Sequence, residues 1–235
     1  CEDFSAMFSG CSSLTSLDVS LFNTEKATEM EFMFNNCQKV KEINVSNFVT
    51  KNVIDMSGMF QNCKQITALD LSKFDTSEVT DMSVMFSLCN NLRQLSVKNF
   101  DTSKVMDMYN MFAYLGQIES LDVSNFNTSS CTDMSLMFLN LGKVTSLDVS
   151  SFDTSQVEDM SEMFASMSQV KIKGFENFNT SLVYNMSSMF YYCQQIEEVD
   201  LSKYKTSKVE DFSYMFSDCN NLKKANLKGV DTSFS

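Results

Sequence analysis

The dipeptide Met-Phe recurs at Met7, Met33, Met59, Met85, Met111, Met137, Met163, Met189 and Met215, a step of 26 residues without one insertion. A threonine column keeps the same step without exception, from Thr24, Thr50 and Thr76 to Thr206 and Thr232. Strict internal periodicity of this length marks a solenoid, in which each unit is one supersecondary element that must stack on its neighbours to bury its apolar side.

Two shorter periods coexist inside the unit. In the third unit, Met56, Met59, Phe60 and Cys63 fall at i, i+3, i+4 and i+7, the apolar stripe of a short helix, with Asp55 placed as its N-cap. Ile66, Leu69 and Leu71 then give L-x-x-L-x-L, the strand signature of leucine-rich repeats, followed by Ser72 and the turn chemistry of Asp75, Thr76 and Ser77. The expectation is an α/β solenoid: a right-handed coil of nine strand-plus-short-helix units, with a parallel sheet on one side and helices on the other. At a strand spacing of about 4.8 Å, such a coil spans roughly 40 Å.

Residues 1–235 are expected to form one repeat domain without distinct caps, because Ser235 falls in the column of Cys1. Such a domain is read either as a section of a longer protein or as a subunit whose ends stack on neighbours. One unit departs from the pattern. Where Leu147 and Val199 hold the second strand position, the seventh unit has Lys173, with Ile172 and Gly174 in outward positions. A local bulge that turns Ile172 inward is the expected response, with a binding feature as the alternative.

Composition removes several functions. A net charge of -12 opposes nucleic acid and anionic lipid, which need clustered Lys and Arg, and suits a neutral or basic partner. The chain has no His, Pro or Trp, so the commonest general base and zinc-ligand nitrogen are missing. No apolar run approaches the length of a membrane span, so membrane insertion by this segment is not expected.

The unit L-x-x-L-D-V-S-x-F-D-T-S-x-V-x-D-M-S-x-M-F-x-x-C resembles the BspA-like leucine-rich-repeat surface proteins, in particular the 26-residue type of mycoplasma surface lipoproteins. The likeness covers the whole chain. The resemblance implies extracellular display at the cell surface and a role in adhesion or protein binding. It brings no catalytic residues, no cofactor and no named ligand.

The other columns have structural readings beside functional ones. Cys11, Cys37, Cys63, Cys89, Cys193 and Cys219 share one column with Leu115, Leu141 and Met167, while Cys1 and Cys131 share another with Ala27 and valines. Such exchanges mark small buried hydrophobes, expected as free thiols; disulfides between stacked units, a metal, or lipidation of Cys1 are the alternatives. The column Asp55, Asp81, Asp107, Asp133, Asp159 and Asp211, with Glu29 and Asn185, reads as helix caps rather than a calcium ladder, since the Gly-rich turns of calcium β-rolls are missing. Met-Phe pairs read as core, and the threonines as hydroxyls that satisfy turn backbone from unit to unit. Four N-x-Ser/Thr sequons, at Asn44, Asn127, Asn179 and Asn185, mostly follow from the columns themselves.

No nucleophile, base and orienter can be assembled from residues the repeat leaves unexplained, so no catalytic residue and no metal site is assigned. The leading reading is a cell-surface adhesion or protein-binding solenoid for a protein or glycan partner. The alternative is a structural subunit that self-associates end to end into filaments or a surface layer. Outward strand positions carry Asp18, Asn44, Asp70, Ser96, Asp122, Asp148, Gly174, Asp200 and Asn226 in one row. Of these, Asp18, Asp70, Asp122, Asp148 and Asp200 are the candidate partner-binding residues, with simple solvation as the competing explanation.

Overall fold

The computed structural model describes residues 1–233; Ser235, on which the matching of the two ends rested, lies outside them. Successive units stack in parallel. Bridges run from Asp3 to Glu29, Asp55, Asp81, Asp107, Asp133, Asp159, Asn185 and Asp211, each step advancing 26 residues. On the strand side the pairing is short and intermittent: β1 (Ala68–Leu69) with β2 (Gln94–Leu95), β3 (Ser146–Asp148) with β4 (Lys171–Lys173), and β5 (Glu198–Asp200) with β6 (Lys224–Asn226).

The expected helices are replaced by something else. Among the described residues the only helical element is a 3-10 turn at Phe175–Asn177, and the Met-Phe segments are arches of consecutive turns. In the fourth unit, Met82, Val84, Phe86 and Leu88 donate their amides to the carbonyls of Asp107, Tyr109, Met111 and Ala113 in the next unit, at 2.7–3.1 Å. The amides between them close turns inside the unit: Met85 to Met82 (3.3 Å), Ser87 to Val84 (3.1 Å) and Cys89 to Phe86 (3.2 Å). Every second amide therefore points along the solenoid, whereas an α-helix would direct them all back into its own turn.

Two residues per unit must then turn left-handed. They include Val84 (φ 50°), Leu88 (61°), Leu136 (56°) and Glu162 (53°), sixteen non-glycine residues among those described, beside Gly10 and Gly58. A left-handed non-glycine residue costs roughly 1–2 kcal/mol. The lateral bonds and core contacts offset that cost, and an isolated eight-residue helix would in any case be marginal in water. Gly58 has a further reason to be glycine: the ring of Phe32 lies where a Cβ would project.

The apolar stripe still faces inward. Met56, Met59, Phe60 and Cys63 are fully buried, as are their counterparts in the inner units. Phe8, Phe34, Phe60, Phe86, Phe112, Phe138, Phe164, Phe190 and Phe216 form one stacked column, with successive centroids 5.4–6.1 Å apart and rings 1–19° from parallel. The spacing is imposed by the stacking of the backbones, and offset stacking of rings adds to the burial.

The threonine column acts as a clamp. The buried Thr102 hydroxyl donates to the Asn127 carbonyl and accepts the Asn127 amide, both at 2.9 Å. Thr50, Thr76, Thr154, Thr180 and Thr206 hold the residue 25 positions on in the same way.

In the seventh unit the chain slips by one residue. Ser146, Leu147 and Asp148 pair with Lys171, Ile172 and Lys173, an offset of 25. Ile172 thereby packs against the core as expected, while Lys173 stays in water. Gly174, at φ 101°, absorbs the displaced residue, and a Cβ there would collide with the backbone of Ser150. Phe175 returns to the core, and its carbonyl accepts the hydroxyl of buried Tyr204 at 2.8 Å. Tyr204 thus stands in the Phe column because the slip exposes a carbonyl for it to reach.

Thr102→Val keeps the side-chain shape but strands the partly buried carbonyl and amide of Asn127, each worth about 1–3 kcal/mol. Urea unfolding is expected to give a loss of about 2–4 kcal/mol for Thr102→Val and much less for Thr102→Ser, which keeps the oxygen.

Candidate partner-binding face

The local chain folds each strand-row carboxylate into a turn. Asp18, Asp70, Asp122, Asp148 and Asp200 accept the amide of the serine two residues on, Ser20, Ser72, Ser124, Ser150 and Ser202, at 2.9–3.1 Å through Oδ1. The turn has a use for an acceptor there. It has no use for the charge, because Asn44 and Asn226 accept the corresponding amides at 3.1 and 3.2 Å.

With Oδ1 engaged, Oδ2 is available to other cations. Oδ2 of Asp148 meets Lys173 at 2.8 Å and that of Asp122 meets Lys98 at 3.3 Å, both pairs being largely exposed. Hydrogen bonds from the serines hold Asp18, Asp70, Asp122 and Asp200 below the usual carboxylate range, and the Lys173 ammonium, ahead of Ser150, does so for Asp148. All five remain anionic at neutral pH. The row is interrupted in the seventh unit, where the slip puts Lys173 beside Asp148.

The second carboxylate column lies on the arch side. Asp55, Asp81, Asp107, Asp133, Asp159 and Asp211 do not cap helices; each accepts the amide two residues on at 2.7–2.8 Å, in the turn that opens the arch. Asn185 does the same at 3.0 Å, and its Nδ2 donates to Asp159 at 3.2 Å. Stacking brings like charges together. Burial above all, with Asp81 and Asp133 adding to it, pushes Asp107 up to about 6. Among the described residues no group of three or more His, Cys, Asp and Glu side chains is arranged to hold a metal ion.

All eight cysteines are unpaired, and six are buried; Cys1 and Cys11, in the first unit, are exposed. The thiols of Cys63, Cys89, Cys193 and Cys219 donate to the carbonyls of Phe34, Phe60, Phe164 and Phe190 at 3.0–3.1 Å. Burial pushes Cys89 and Cys193 up to about 12, so these thiols are neutral and unreactive.

Sequence reasoning passed over one set of surface groups. Met106, Tyr109, Tyr114, Tyr184 and Tyr192 project from the arch side, each with more than a third of its surface in water. The signal available was their place: each stands in a column that mostly holds Gly or small polar and acidic residues (Ser, Thr, Asn, Asp or Glu).

A sequence model of a family described as "Mycoplasma protein of unknown function, DUF285" matches residues 1–68, 60–166 and 140–234. No curated protein matches significantly. Solved structures with some similarity include a leucine-rich repeat protein from Bacteroides ovatus (13% identity, 94% of this chain and 77% of that one, TM-score 0.31). An internalin, inlF, from Listeria monocytogenes gives 16% identity over 88% and 76% of the two chains, with a TM-score of 0.29. The functional domain of InlJ from Listeria monocytogenes, which includes a cysteine ladder, gives 15%, 93%, 43% and 0.23.

The stacked carboxylates have a consequence for stability. Asp107 is raised in the folded state above its unfolded value of about 3.9, so its contribution is fully present below pH 3.9 and is lost as pH rises through about 6. Asp107→Asn, which keeps the acceptor as Asn185 does, is expected to raise the melting temperature at pH 7 by a few degrees and to flatten its decline between pH 5 and 7. Melting curves over that range check both.

Proposed function

The chain belongs to the Mycoplasma repeat family DUF285, and on that basis we propose that it is a non-catalytic, BspA-like binding solenoid displayed at the cell surface. On this reading residues 1–235 are a single domain, nine units in a right-handed leucine-rich-repeat-like coil, which engages an extracellular protein or glycan in adhesion.

The observation that supports it most is the polar row on the strand side. Five carboxylates are fixed in orientation by backbone bonds that an amide would serve equally well, and only Asp122 and Asp148 meet a lysine of the chain, so the charges of Asp18, Asp70 and Asp200 are left for interaction with something outside it. Exposed carboxylates ahead of a partner's Lys or Arg act chiefly on encounter rate and selectivity. The strict repetition supports a binding role over catalysis, because an active site is a local asymmetry and this row has little.

Surface-immobilised extracellular matrix proteins provide the test. Binding to a basic matrix protein is expected to weaken as salt rises, and Asp122→Asn with Asp148→Asn to weaken it by about threefold or more while leaving the melting temperature unchanged. Affinity that ignores both salt and the double substitution would overturn the assignment of this row.

A further inference from the structure

In a chain of near-identical units, a column that changes character over consecutive units, even one buried beneath the surface as Asn35, Ser87, Ala113, Leu139 and Ala165 are, marks a place where something other than stacking sets the residues. One such change occurs on the outer side of the arches. The column Ser9, Asn35, Gln61 and Ser87 is polar in the first four units, where Ser9 donates to Asn35 and Asn35 to Gln61. In the next four units it becomes Ala113, Leu139, Ala165 and Tyr191. The first three of these form a small apolar layer of their own, separate from the main core and covered by Leu136 and Tyr191.

The tyrosines follow the same division. All seven lie at or beyond position 109, and apart from buried Tyr204 they sit on the arch side. Tyr109, Tyr114, Tyr184 and Tyr192 are 36–46% exposed, with units stacked on both sides of them. Tyrosine offers a large, rigid, amphipathic contact area at low entropic cost, and its enrichment on a surface is a mark of protein interfaces.

Charge specifies the partner. The arch segments 105–118, 131–144, 157–170 and 183–196 contain Asp107, Asp133, Glu158, Asp159 and Glu162 against a single cation, Lys143. The strand face, by contrast, neutralises its acids with Lys98, Lys173, Lys223 and Lys224. Carboxylates interleaved with aromatic rings suit an ammonium or guanidinium group, which gains from both the charge and the ring faces. The same charges repel anionic lipid and nucleic acid.

We propose that the outer arch of units five to eight is a second docking surface, which takes a protein segment presenting Lys or Arg beside apolar side chains and grips it through Tyr109, Tyr114, Tyr184 and Tyr192. The proposal rests on the reading of this chain as a binding solenoid, but it uses the opposite side from the aspartate row.

The probes are two synthetic peptides of equal length, one alternating arginine with leucine and the other glutamate with leucine. The chain contains no Trp, so its intrinsic emission reports tyrosine, six of whose seven copies lie on the arch side. The arginine peptide is expected to change that emission saturably and the glutamate peptide to leave it unaltered. Titration calorimetry is then repeated on Tyr109→Ser with Tyr184→Thr, residues that other units carry in those columns. An affinity loss of about tenfold, with unfolding unchanged, supports the proposal. Asp122→Asn with Asp148→Asn is expected to bind the peptide as the unaltered chain does. No binding, equal affinity for the two peptides, or full affinity in the tyrosine variant would overturn the proposal. Loss in the aspartate variant alone would also overturn it while sustaining the strand-face reading.

Discussion

Backbone hydrogen bonds between units, repeated every 26 residues, are the constraint on which the rest of this structure depends. Alternate amides of each arch bond to the next unit, and the remaining ones close turns, so the arch cannot be a helix. The fixed step then places Phe on Phe, Thr on turn backbone and Asp on Asp all along the chain. A column residue must therefore suit its own copy above and below as well as its place in the unit. Phenylalanine meets that demand by stacking and threonine by donating and accepting at one oxygen. Aspartate meets it poorly: burial above all, with like charges held in register adding to it, raises Asp107.

Much of this was legible in the sequence. The period, the inward stripe Met56, Met59, Phe60 and Cys63, the role of the threonines, the free buried thiols and the inward turn of Ile172 all followed from columns. The error over the helix has a physical cause. A stripe at i, i+3, i+4 and i+7 also arises from successive turns of three to four residues, so periodicity cannot separate the two. The decisive clue lay in the left-handed positions: Gly10, Asn36, Asn62, Asn140 and Asp218 share one column, and these residue types tolerate positive φ. Leu88, Tyr114 and Tyr192 in that column obscured it.

Other features depend on contacts that no column reveals. The tyrosine at 204 became explicable only when the slip in the seventh unit was seen to turn the Phe175 carbonyl toward it. The aspartates of the strand row read in the sequence as solvating groups or a partner site, yet each one also accepts the amide two residues on and so closes a turn. In a repeat protein the two sides of the coil can be compared by asking whether a column is uniform. The strand row is polar except at the slip, where Gly174 stands, and is mixed in charge with lysine, whereas the arch of units five to eight is aromatic and acidic over a small apolar layer.

Amide hydrogen exchange with single-residue resolution tests the central claim most directly. If lateral bonding of the arches holds the solenoid together, the amides of Met82, Val84, Phe86 and Leu88 and their counterparts in the inner units exchange slowly. They should do so in company with the amides that the threonines hold, such as that of Asn127. Rapid exchange at Val84 and Leu88 beside strong protection of a continuous helical run would contradict the account.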